Sequence, residues 1–139
     1  MYGRDWIKLI ESSCAIDSRT IEGAAGTVRV AEMFGDRLVS MGFDVEWFDT
    51  HAQEGRRGRH LRAVRRSGAD TRLLFLGHTD TVLSPAEVPV RLDEQAGKIF
   101  GAGTCDMKGG CVLLLAALEL ALARSPEFHD AGQVVLFNC

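Results

Sequence analysis

The sequence predicts an α/β fold: a mixed, mainly parallel sheet flanked by helices. Three observations carry that expectation. Stretches with apolar residues at helical spacing alternate along the chain with short apolar runs of strand length. The run "TRLLFLG" (71–77) is apolar almost throughout and bounded by polar residues, as a strand buried on both faces would be. From about Met107 to Arg124 the chain reads as a helix that is apolar nearly all round, which suits a helix packed on both sides. Such alternation builds a sheet with helices against it. In sheets of this kind the chemistry collects at the carboxyl ends of the strands.

Taken in order, Trp6, Ile7, Leu9 and Ile10 make 2–13 a short amphipathic helix. "TVRVAEMFGDRLVSMG" sets Val28, Ala31, Met33, Phe34, Leu38 and Met41 at helical spacing, and Gly42 is placed to end that helix. "FDVEWFDT" (43–50) alternates Phe43, Val45 and Trp47 as a strand does. "HAQEGRRGRH" (51–60) reads as a polar loop, and "LRAVRR" (61–66) as the second strand of a hairpin. "GKIFGAG" (97–103) is a short strand between glycines, and "QVVLFNC" (133–139) a last buried strand. The chain has no repeats, low-complexity segments or linkers, and 139 residues suit one compact domain.

Composition narrows the function classes. With 46% hydrophobic and 25% charged residues the chain reads as soluble and globular. A net charge of −3 offers no basic field for gripping phosphates, which tells against nucleic acid as a partner. The N-terminus, "MYGRDWIKLIESS", carries Arg4, Asp5, Lys8 and Glu11 and lacks the apolar core of a secretory signal. The most apolar run, "CVLLLAALELALA" (111–123), contains Glu119 and is too short to span a membrane. A cytoplasmic protein is therefore expected. Cys14, Cys105, Cys111 and Cys139 form no CxxC pair and are expected as reduced thiols. The spacing in "CDMKGGC" does not match that of zinc-binding cysteines.

Two stretches carry chemistry. In "LLFLGHTDTV" (73–82) an apolar run ends in His78 and Asp80, whose two-residue spacing in extended chain points both side chains the same way. An imidazole there can bind a metal through one nitrogen while a carboxylate orients the ring; a hydrogen-bonded histidine and a capping aspartate at a strand-end turn would fit the tripeptide equally well. In "GAGTCDMKGG" (101–110) Asp106 stands just before the long helix, and taken alone it could be an N-cap. A Walker loop would need Gly before the lysine and Ser or Thr after it, but Lys108 lies between Met107 and Gly109. A dinucleotide fingerprint fails as well, because Asp106 stands where the third glycine belongs. His51 and His60, in an Arg-rich polar segment, and His129, in the loop before the final strand, read as solvated. Glu119 reads as a surface carboxylate within the helix.

Taken together, these two motifs and the following "GQVVLFNC" make the sequence similar to the family of dinuclear zinc hydrolases that includes aminoacylases, acetylornithine deacetylases, succinyl-diaminopimelate desuccinylases and glutamate carboxypeptidases. "VVLFN" leans toward the glutamate carboxypeptidase branch. The resemblance implies a zinc-peptidase-like catalytic domain of which 1–139 is the N-terminal part, with the dimerisation domain and the C-terminal half lying beyond it. It implies two zinc ions, with cobalt or manganese chemically reasonable in their place. His78 would be a ligand of one metal, and Asp106 would bridge both through its two oxygens. Asp80, the catalytic residue expected here, would clamp the His78 ring without touching metal. The Asp106–Met107 peptide would be cis, and Lys108 and the glycines would shape the turn. The family's reaction sends a water held between the two metals against an amide carbonyl. A Glu-Glu pair that supplies the general base and a further ligand follows the strand that here reads "VVLFNC", so the chain would stop just short of it. The substrate class implied is a small N-acyl amino acid or peptide, without nucleic acid or membrane, and the complete family member would be a homodimer. The alternative expectation is a noncatalytic remnant or interaction module with weak metal binding, because those glutamates are wanting.

Overall fold

A computed structural model describes residues 2–20, 24–50, 58–66, 68 and 70–138. The chain runs through α1 (Tyr2–Cys14), α2 (Ala25–Ser40), β1 (Asp44–Asp49), β2 (Arg59–Arg65), β3 (Arg72–His78), β4 (Arg91–Asp93), β5 (Lys98–Phe100), α3 (Lys108–Arg124), α4 (Pro126–Asp130) and β6 (Gly132–Asn138). Gly42 ends the second helix as expected: its φ of 83° takes the left-handed region, and its N–H donates to the Val39 carbonyl at 3.0 Å.

Four strands form one sheet in the order β1-β2-β6-β3, and β4 and β5 form a separate hairpin between the two motif stretches. The sheet is mixed, but it is not mainly parallel: β1 with β2 and β2 with β6 are antiparallel, and β3 with β6 alone is parallel. The connections explain this. β1 passes directly to β2, which suits antiparallel pairing, whereas β3 reaches β6 through a crossover long enough to hold α3.

Register sorts the side chains into two faces. Phe75, Val135, Ala63 and Val45 stand in one row, and Gly77, Phe137, Leu61 and Trp47 in the next. These rows meet the helices. Val30, Ala31, Phe34 and Leu38 of α2 and Cys111, Val112, Leu115 and Leu118 of α3 close over Leu61, Ala63, Val135 and Phe137 as one core. The rings of Phe34 and Phe137 meet in tilted contact with centroids 5.3 Å apart.

Among the described residues the opposite face is open. Leu74 and Leu76 are 60% and 64% exposed, and their register partners Val134 and Leu136 are half-buried. The expectation that β3 is buried on both faces is therefore corrected: the helical residues of the core all gather on the odd-numbered side of β3 and β6. The long helix is corrected likewise. α3 packs along one side only, through Cys111, Val112, Leu115 and Leu118, while Leu113 is 67% exposed. A helix apolar all round has no periodicity from which to read the buried side, so the sequence carries no direction there.

Two smaller corrections follow from element boundaries. Arg59 and His60, read as loop, open β2. His129, read as loop, lies in α4, which Ser125 caps by accepting from the Phe128 N–H at 3.2 Å while Pro126 takes the first helical position. Among the described residues no helix is long and apolar enough to cross a membrane.

One-sided burial has a measurable consequence. Leu115→Ala, at a fully buried core position, is expected to cost about 2–5 kcal/mol in urea unfolding. Leu76→Ala, on the open face, is expected to stay within about 1 kcal/mol of the parent.

Candidate functional site

Parallel pairing brings the carboxyl ends of β3 and β6 to the same rim, with His78 directly opposite Asn138. Pairing persists one step further, because the Thr79 N–H donates to the Asn138 carbonyl at 3.0 Å. The Thr79 hydroxyl donates to the Thr27 carbonyl of α2 at 3.1 Å. Residues 78–81 keep the alternation of a strand: Thr79 and Thr81 are buried, while His78 and Asp80 turn to the partly exposed side.

His78 Nδ1 lies 3.1 Å from Asp80 Oδ1 and 3.2 Å from the Asp80 carbonyl oxygen. Its Nε2 lies 3.0 Å from Asp106 Oδ1. One ring thus faces a carboxylate on each side, and the three residues singled out in the two motifs stand together at the rim.

The turn that presents Asp106 is tightly specified. The Asp106–Met107 peptide is cis, as the resemblance implies. Gly103 has a φ of 83°, and its open side is filled by Thr81 and by the Lys108 stem. Gly109 donates its N–H to the Gly103 carbonyl at 3.1 Å, and a Cβ at this position would run into the Thr104 carbonyl. Met107, not Asp106, is the N-cap of α3, and no side chain caps that helix. The capping role open to Asp106 is therefore not the one it plays: its side chain is 85% exposed and points at His78.

Behind the rim the surroundings are apolar. Cys111 Sγ lies 3.5 Å from the His78 carbonyl oxygen and would sit 2.8 Å from a Cβ at Gly77. Burial, which outweighs the bond to the His78 backbone, pushes its thiol up to about 12. Lys108 is fully buried, and burial lowers its pKa against the opposing pull of Cys14 and Asp17.

The donor set suits a metal. Nitrogen and oxygen ligands bind zinc at about 2.0–2.2 Å, so two donors on one ion lie roughly 3–3.5 Å apart. The 3.0 Å between His78 Nε2 and Asp106 Oδ1 matches that spacing. Among the described residues, no group of three or more His, Cys, Asp or Glu side chains could hold a metal ion. Asp80 faces the other nitrogen of the ring. A groove of about 630 Å³ opens beside His78 along the uncovered sheet face, lined by Phe48, His60, Leu76, Met107, Leu136 and Asn138 among others.

The remaining histidines lie elsewhere. His60 is half-buried on β2 at the groove, not solvated as expected. The Arg65 guanidinium donates to His129 Nε2 and to the His129 carbonyl, both at 2.7 Å. His51 lies outside the described residues. Glu119 is half-buried in the middle of α3. Sequence reasoning missed the buried threonines, although "HTDT" already alternates two chemistry-bearing residues with two hydroxyls.

Fold and rim together define a class: an α/β domain with a mixed sheet, in which two motif stretches meet at the carboxyl ends of a parallel strand pair. Solved structures support the fold. A di-peptidase from Saccharomyces cerevisiae superposes with a TM-score of 0.75 at 15% identity, over 96% of this chain and 31% of that one. Human carnosine dipeptidase 1 does so with a TM-score of 0.73 at 17% identity, over the same shares. Residues 74–138, which include His78, Asp80 and Asp106, match the model of peptidase family M20/M25/M40. A succinyl-diaminopimelate desuccinylase of Delftia acidovorans is 36% identical over 130 residues, 86% of this chain and 32% of the relative. That of Halorhodospira halophila is 35% identical over 125 residues, again 86% of this chain and 30% of the relative. The chain belongs to peptidase family M20/M25/M40 and spans about a third of the length of these relatives.

The thiols report on this packing. Cys14 and Cys111 are buried and Cys105 is exposed, so among these three a maleimide at pH 8 is expected to label Cys105 alone, as read by mass spectrometry. The Cys111 shift also has a sign. Its folded value, about 12, lies above the ordinary 9.0, so its contribution to stability is complete below pH 9 and is lost as pH rises toward 12. Cys111→Ala is expected to flatten that alkaline decline in urea midpoints.

Proposed function

We propose that this chain supplies the N-terminal part of the catalytic domain of a metal-dependent hydrolase acting on amide or peptide bonds. The observation that carries the reading is His78, with Asp80 on Nδ1 at 3.1 Å and Asp106 on Nε2 at 3.0 Å, at the carboxyl rim of a parallel strand pair. His78 and Asp106 are the residues that would hold metal, and Asp80 is the residue that makes His78 a good donor. By accepting from Nδ1–H, Asp80 leaves the lone pair on Nε2 and holds the ring plane. Asp106 has two oxygens on an exposed side chain, which suits a carboxylate shared by two ions. Zinc bound there would polarise the substrate carbonyl and lower the pKa of its water. Imidazole with carboxylate suits zinc, and cobalt or manganese are compatible with the same donors.

The substrate class follows from the relatives. Desuccinylases and dipeptidases point to a small N-acyl amino acid or short peptide. The open groove beside His78 offers apolar wall at Leu76, Met107 and Leu136 and polar groups at His60 and Asn138. The aminoacylase-like and carboxypeptidase-like readings share this chemistry.

A second reading has its own observation. Among the described residues two donors meet and no third joins them, whereas a catalytic zinc takes three from protein. The 139 residues by themselves are then a weak metal binder without turnover. Hydrolysis of an N-acyl amino acid by the purified chain alone would exclude that reading.

In the complete protein Asp106→Ala is expected to abolish amide hydrolysis. Asp80→Asn, which keeps the shape but weakens the hold on His78, is expected to lower activity or metal affinity about 10–100-fold. Turnover by Asp106→Ala at the parental rate would remove the assignment.

A further inference from the structure

Lys108 is the one charged side chain among the described residues that is fully buried. Its place is two residues beyond Asp106, at the first position of α3. The ammonium finds its hydrogen-bond partners outside its own helix. It reaches across to α1 and donates to the Ser13 carbonyl at 3.0 Å and the Ile16 carbonyl at 2.8 Å. Carbonyls at the carboxyl end of a helix lack partners within it and carry the negative end of the helix dipole, so a cation is favoured there. Lys108 thereby ties the end of α1 to the turn that presents Asp106.

The same stretch of chain holds the other motif. Thr81, next to Asp80, donates its N–H to the Ser18 carbonyl at 3.2 Å, and its hydroxyl lies 3.4 Å from Ser18 Oγ. Thr81 and the Lys108 stem also converge on Gly103, where an added Cβ would sit 2.8 Å from Thr81 Cγ2 and 3.1 Å from Lys108 Cδ. Residues 13–18 are therefore a bridge. One end is held by Lys108 from the Asp106 turn, and the other by Thr81 from the His78 strand end.

We infer that Lys108 is a positioning residue: through the 13–18 bridge it fixes the distance at which Asp106 meets His78. This builds on the reading of His78 and Asp106 as one donor pair, but their contact exists without metal. It can be tested in the chain without assaying hydrolysis, so failure here leaves the proposed activity standing.

The test is NMR of the 139-residue chain and of Lys108→Met, which keeps the length and loses the donors. Two signals are followed: the His78 ring nitrogens and the exchange rate of the Thr81 amide. The expected result is that the His78 resonances move and Thr81 exchanges about tenfold faster, with Lys108→Arg returning both toward the parent. A folded Lys108→Met with both signals unchanged, whatever its loss of melting temperature, would reduce Lys108 to a packing residue and overturn the inference. Should Lys108→Met not fold, Thr81→Val loosens the bridge at its other end: shifted His78 resonances support the inference, and unshifted ones overturn it.

Discussion

Parallel pairing of β3 with β6 is the constraint from which the rest follows. Two parallel neighbours cannot be joined by a tight turn, so the chain between them must leave the sheet, cross over and return. That crossover holds α3, which packs against the sheet and supplies Cys111, Val112, Leu115 and Leu118 to the core. It also forces the start of α3 to lie at the rim where β3 ends. Asp106 meets His78 because the chain has to turn there before it can descend as a helix.

Local chemistry refines what topology sets up. Glycines at 103 and 109 let the backbone fold back closely enough for Lys108 to be swallowed by the core while Asp106 stays outside. Alternation along 78–81 sends two threonines inward to anchor the strand end on α2 and on the 13–18 segment. The side chains of the proposed site are thus held by buried neighbours, and their own polar ends remain open to solvent and groove. This is the division expected of a binding site carried on rigid elements.

Much of this was legible in the sequence where a pattern had a direction. The alternation in "FDVEWFDT", the glycine stop at 42 and the motifs around His78 and Asp106 all named elements and residues that the structure contains. Directionless patterns misled. "LLFL" and "CVLLLAALELALA" are apolar without period, so they say that something is buried but not which side. The open face with Leu74 and Leu76, and the exposed Leu113, lie on the sides that could not be read. Sheet polarity was also overdrawn, because it depends on connection lengths and not on strand composition. The resemblance implies that Lys108 shapes the turn; its partners Ser13 and Ile16 are more than ninety residues away in sequence, and no local pattern announces such a contact.

The central claim is that His78 and Asp106 are donors of one metal site with Asp80 behind the ring. Its most direct test is a zinc titration of the chain followed by NMR of the four histidine rings. The expected result is that His78 responds at the lowest zinc concentration through Nε2, with His60 and His129 silent, and that Asp106→Asn weakens the response. Zinc that reached His60 or His129 first, or left His78 unmoved, would contradict the assignment of the site.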